Sequence, residues 1–142
     1  LLHDLDWEEH EDDPMNHTIY AAEILEGEGA TPELIRAIQT HTSDFNPSLP
    51  KPELQMEKIL FACDELTGLI GAAVIMRPSK SVMDFTTKSL KKKFKDKRFA
   101  AGCSRDVISQ GAEMLGWELP DLFDRTIAAM QSFAPDRDTF QA

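Results

Sequence analysis

His3 and Asp4 put an imidazole and a carboxylate side by side; both can reach one cation, and the carboxylate can also bridge two. Alone, that dipeptide is common and carries little. His17 and His41 add to it. His17 falls in register with Tyr20, Ala21 and Ile24, and His41 with Leu34 and Ile38, so both are expected on the inward faces of successive helices. A lone histidine in such a place is more often a satisfied core or capping residue. Two of them at the inner ends of successive helices are unusual. Asp64 lies in the apolar stretch Ile59-Leu60-Phe61-Ala62-Cys63, where a carboxylate is costly to bury without a partner. Gly68 and Gly71 follow at i+4 and i+7 and leave room beside it, and glycine inside a helix costs about 1 kcal/mol unless it has a use. The plainer reading is tight helix packing around a salt-bridged aspartate; the glycines and histidines together favour a metal. Carboxylate and imidazole without thiolate suit Mn, Fe, Mg, Ni or Zn, at one or two ions per chain. Such a site activates water and holds phosphoryl oxygens.

The elements that must position these residues are helical, with almost no strand signal. Asp13-Pro14 has the cap-then-proline order that opens a helix, which Gly27 or Gly29 closes. Thr31-Pro32-Glu33 repeats the device and predicts a helix to about Thr42, with His41 near its end. Three prolines make 45–52 a loop. From Glu53 to Met76, Leu54, Ile59, Leu60, Cys63, Leu66, Ile70 and Val74 keep helical spacing until Pro78 ends it. Residues 79–84 connect to a basic helix over 86–96, followed by helices over 104–115, with Gly116 as C-cap, and 119–133. The fold class is therefore all-α. One domain is expected over 1–134, with a polar tail at 135–142.

The composition is 42% hydrophobic and 28% charged, which suits a globular chain rather than a disordered one. A net charge of −10 disfavours nucleic acid and anionic membranes as partners. The charge is uneven: residues 1–35 hold no Lys or Arg, whereas 77–105 hold ten of them and only Asp84 and Asp96 as acids. That polarity suits metal on one side and a phosphorylated ligand on the other. Arg77, Lys80, Lys88 and Lys92 are the candidate contacts to substrate phosphate; Lys88, Lys92 and Lys95 share one stripe, though each is as readily a solvated lysine. Only Phe85, Phe94 and Phe99 are aromatic in that segment, which again argues against nucleic acid. Cys63 and Cys103 lack CxxC spacing and read as reduced, partly buried thiols. The longest apolar run, Leu66 to Met76, is too short to cross a bilayer, and the expected location is cytoplasmic.

The order His-Asp, His, His, Asp is carried by LLHDLDWE, by a histidine at the next helix, by AIQTHT and by ACDELTGLIGAAVIMRP. With the turn RPSKS and the basic KSLKKKFKDKRFAAGCSR, it resembles an HD-domain subfamily of small metal-dependent phosphohydrolases, from Leu1 to about Met130. The resemblance implies an HD-domain helical bundle of about six helices. His3 and Asp4 would be the eponymous pair, His17 and His41 the histidines of a second metal position, and Asp64 the closing carboxylate. The family has a further metal histidine on a helix upstream of the HD pair. Leu1-Leu2 reads as the middle of something, so the chain is expected to be N-terminally shortened. Apolar surface exposed by that loss would be covered in a homodimer.

The implied function is hydrolysis of a phosphate ester on a small phosphorylated substrate such as a nucleotide, with Asp4 and Asp64 holding metal and helping to take the proton. The rival is a catalytically impaired binding or dimerisation module on the same fold. Five of six expected ligand positions persist, which favours the enzyme.

Overall fold

The computed structural model describes residues 2–13 and 15–134. Pro14, half of the expected Asp13-Pro14 helix start, and the 135–142 tail lie outside the described residues. Within them the chain is all-α, with seven helices and no strand. None of these helices is long and apolar enough to cross a membrane. Packing divides the chain into a first unit, up to Phe61, and a second, from Ala62.

The first unit holds α1 (Trp7–His10), α2 (Ile19–Gly27), α3 (Pro32–His41) and the opening turns of α4 (Gln55–Ile75). The α3 signal is local and is obeyed: the Thr31 hydroxyl accepts from the N–H of Leu34 (3.3 Å), and Pro32 occupies the first turn. Ala37, Ile38, Thr40 and His41 form its buried face, and α2 packs against α3. The start of α2 corrects the sequence reading. Residues 11–12 and 15–18 form turns, and α2 opens five residues later than expected. Thr18, its N-cap, sits at φ 70°, a left-handed value that breaks any helix running through it. The cap is not local: Asp6, far upstream, accepts from the N–H of Thr18 (2.8 Å) and of Ala21 (2.9 Å) through Oδ2. Gly29, at φ +78°, closes α2.

Glu57, with no exposed surface, organises the start of α4. Its Oε2 accepts from the N–H groups of Glu53 (2.7 Å) and Leu54 (2.9 Å), and its Oε1 from Arg36 Nε (2.9 Å). It reaches back to the helix's own orphan donors as the glutamate of a capping box does. Burial opposes its ionisation, but those three donors outweigh burial and hold its carboxyl below the usual range.

The second unit holds the rest of α4 with α5 (Thr87–Lys95), α6 (Arg105–Leu115) and α7 (Leu119–Phe133); α5 and α6 both pack on α7. Its core is apolar: Ala62, Leu66, Leu69, Ile70, Ala73 and Val74 from α4 meet Leu90, Ile108, Leu122, Phe123 and Ile127. Each such leucine or phenylalanine contributes roughly 1.5–3 kcal/mol by leaving water. At Gly111 a Cβ would stand 2.4 Å from that of Ala62, so only glycine lets α6 approach α4 so closely. Ser104 caps α6 through the N–H of Val107 (3.2 Å), and Gly116 ends it at φ 67°. At Gly68 a Cβ would lie 3.4 Å from Cys103 Sγ, an ordinary contact. Cys63 and Cys103 are free and half-buried, and burial pushes both thiols up.

One second-unit residue had no sequence signal. Arg105, at the start of α6, donates to the carbonyls of Lys93 (3.4 Å), Phe94 (3.4 Å), Asp96 (3.3 Å), Ala100 (2.7 Å) and Cys103 (2.6 Å), and to that of Phe99. One guanidinium thus satisfies the end of α5 and folds the loop behind it.

Candidate metal centre

Four of the five expected metal ligands lie in the first unit, and the fold brings them together. Asp4 is the hub. Its Oδ2 lies 3.1 Å from His3 Nε2, and its Oδ1 lies 3.3 Å from His17 Nε2 and 3.7 Å from His41 Nε2. The His3 and His17 rings stand edge-on to His41, with centroids 5.1 Å and 5.4 Å away. Ligand atoms from Asp4, His17 and His41 all lie within 4.8 Å of one another, a spacing that one cation can collect.

The residues behind these histidines fix which nitrogen faces Asp4. His17 Nδ1 lies 2.7 Å from Asp6 Oδ1, and the other Asp6 oxygen already accepts from two backbone N–H groups. Nδ1 therefore donates and Nε2 points at Asp4. His41 Nδ1 donates to the carbonyl of Ile38, since a carbonyl can only accept, which again leaves Nε2 for Asp4. A carboxylate behind one ligating imidazole and a backbone carbonyl behind the other is the usual outer support of a metal-binding histidine. Trp7 closes one side of the His17 ring, edge-on at 5.0 Å.

Position in the chain explains little of this. His17 was expected on the helix opened by Asp13-Pro14; instead it precedes the N-cap of α2 and is buried in a turn. His41 is the last residue of α3, near the helix end as expected. Asp6 was missed altogether. It is one of seven acids between Asp4 and Asp13, and nothing in its neighbours marks it as the one with no exposed surface.

The charges are strongly coupled. Burial pushes His17 toward neutrality, but hydrogen bonds to Asp4 and Asp6 outweigh it and raise its pKa above the ordinary value. Burial likewise opposes ionisation of Asp4, yet the hydrogen bonds from His17, His3 and His41 hold its carboxyl far below the usual range. His17 sits between the two aspartates, so a cation there would compete with the proton they favour on its ring. The Asp4 side chain is 48% exposed, so solvent and small ligands can reach the hub.

The remaining expected residues lie in the second unit. Asp64 is half-buried on α4, where its backbone carbonyl accepts from Thr67 (2.9 Å). Arg77 is ion-paired to Asp84 (2.7 Å) and lies over Phe85, tying down the connection after α4. Its guanidinium beside Asp84 also keeps that carboxyl below the usual range. Lys80 is exposed at a turn with φ 45°. Lys88 and Lys92 line a groove between α5 and α7.

No family model, no curated protein and no solved structure matches the chain.

Proposed function

We propose that the chain is a metal-dependent phosphohydrolase acting on a small phosphorylated substrate such as a nucleotide. The observation that carries this reading is the convergence of His17 Nε2 and His41 Nε2 on one half-exposed carboxylate, each imidazole held by an acceptor behind it. The donor set fits a divalent cation of the Mn, Fe, Mg, Ni or Zn class, with Asp4, His17 and His41 as ligands and His3 beside them. A bound divalent cation supplies Lewis acidity toward phosphoryl oxygen and lowers the pKa of water. The chain's own residues do the rest. Asp6 and the Ile38 carbonyl hold the imidazoles in the tautomer that presents Nε2. Asp4, so resistant to protonation, serves better as an anionic ligand than as a proton acceptor. The family resemblance gives Asp64 a share in holding the metal and taking the proton.

The test pairs elemental analysis after purification without added metal with hydrolysis of an aryl phosphate, with and without manganese. Expected are roughly one ion per chain or more, loss of metal in Asp4→Ala and His17→Ala, and loss of turnover in Asp64→Ala. A chain that binds no metal and gains nothing from manganese sinks the proposal.

A further inference from the structure

Helix α5 divides its residues sharply. Leu90 is fully buried and Phe94 packs on Phe123 of α7, with ring centroids 5.2 Å apart. The outer face carries Lys88, Lys91, Lys92 and Lys95, which with Thr87 and Asp124 line an open groove of about 500 Å³ between α5 and α7. The fifth lysine, Lys93, stands over the Phe99 ring at 4.2 Å and does not line that groove.

Helix stability does not account for this stripe. Lysines at i, i+3 and i+4 repel one another along the helix. Lys92 and Lys95, in the last turn, favour the helix dipole, but Lys88, in the first turn, opposes it. Among the described residues no carboxylate forms an ion pair with any of the four. The one acid among the described residues of the groove, Asp124, accepts a hydrogen bond from the Thr87 hydroxyl and leaves an excess of three positive charges there. Four ammoniums against one carboxylate in one small groove, on a chain of net charge −10, form a local field of the opposite sign to the rest of the molecule.

We propose that this groove binds a small oligophosphate, a ligand carrying two or more linked phosphate groups. The stripe from Lys88 to Lys95 runs about 10 Å along the helix, longer than one phosphate can engage. The groove volume is that of a small-molecule site. Nucleic acid fits less well. Phe94 is spent on Phe123 and Phe99 on Lys93, which leaves no aromatic ring among the described residues of the groove for a base to stack on. The proposal goes beyond the metal reading and stands without it.

Calorimetric titration of the full chain with inorganic triphosphate, in a chelator at low ionic strength, tests it. Expected is one-to-one binding that Lys88→Glu with Lys92→Glu weakens about tenfold or more. The milder Lys88→Gln with Lys92→Gln should weaken it in the same direction. Asp124→Asn should tighten binding, by removing a negative charge from the groove. Asp4→Ala should leave it unchanged, which separates this site from the metal centre. Lys97→Glu with Arg98→Glu makes the same charge change at exposed residues outside the groove and should cost less than about threefold. Absence of binding, an equal loss in that outer pair, equal affinity for orthophosphate, or displacement of triphosphate by a short oligonucleotide at lower concentration would each overturn the proposal.

Discussion

The two units solve the problem of an interior in opposite ways. From Ala62 onward the buried side chains are almost all apolar, with Ser81 and Thr126 the polar members, and the core is a continuous set of aliphatic and aromatic contacts. Up to Phe61 the balance is reversed. Asp6, His17, Thr18, Thr40, His41, Thr42, Asn46 and Glu57 are buried there, against Ala21, Leu25, Ala37, Ile38 and Phe61. An interior of this kind survives only if its polar atoms are paired, and these are. Thr18 and Thr42 share a hydrogen bond (2.9 Å), Thr40 donates to the Ala37 carbonyl (2.9 Å), and Asn46 donates to that of Met15 (2.7 Å). Stability in the second unit comes from area removed from water, which tolerates small changes of shape. The first unit depends on specific donors and acceptors, and losing one leaves others stranded. That network is what holds two imidazoles on one carboxylate.

The largest effect should follow from Asp6→Ala. It strips acceptors from His17 Nδ1 and the N–H groups of Thr18 and Ala21, all in a buried setting. Removing one partner of a buried ionic network costs about 3–5 kcal/mol. Urea unfolding should show that loss, and metal titration should show weakened binding, although Asp6 is no ligand. A loss under about 1 kcal/mol would mean that the polar interior is not what holds the first unit together. Gly111→Ala is the matching change in the apolar unit. Its new methyl meets Ala62 on both Cα and Cβ, so overpacking should cost about 1–3 kcal/mol while leaving metal affinity as it was. Any fall in metal affinity there would break the contrast.

Acidity should separate the units further. The folded pKa of His17 is raised, so its contribution is complete below its unfolded value of about 6.5 and is lost as pH rises through the folded value. Asp4 and Glu57 are lowered, so theirs is present above about pH 4 and is lost on acidification. In chelator, stability should therefore fall as pH rises above about 6.5, and again as it drops below about 4. Metal affinity should run the other way, dropping roughly tenfold per pH unit below the His17 pKa, because one proton competes with the cation. Denaturant melts across pH with and without metal check both signs; chelated protein that gains stability as pH rises above 6.5 would contradict the upward shift of His17.

Legibility in the sequence follows the same division. The bounds of α3, α4, α5, α6 and α7 fall within a residue or two of expectation, because their signals are local: Thr31-Pro32, Thr86, Ser104, Gly116 and an unbroken apolar period. The α2 start was not legible, because its cap is supplied by Asp6 across a dozen residues, and helix signals are read from neighbours. Arg105 escaped for the same reason: six carbonyls gather around it only once the loop after α5 has folded. For the candidate site, residue type and inward spacing found His3, Asp4, His17 and His41. They could not show that His17 reaches the centre from a turn, nor that its tautomer depends on a carboxylate indistinguishable in the sequence from the acids around it.

The smallest changes sharpen the contrast most cleanly, because they are alike in kind. Thr31 and Ser104 each cap one helix through a single hydroxyl, in the first and second unit respectively. Replacing either by alanine should cost about 1 kcal/mol, read as similar falls in Tm. The consequences for metal should differ. Thr31 anchors the start of α3, whose last residue is His41 and whose Ile38 carbonyl fixes that imidazole, so fraying there loosens a candidate ligand. Ser104 anchors α6, which carries none of Asp4, His17 or His41. Thr31→Ala should therefore weaken manganese binding measurably, and Ser104→Ala should not. Equal effects on metal, at equal cost in Tm, would mean that global stability rather than the local network governs the centre.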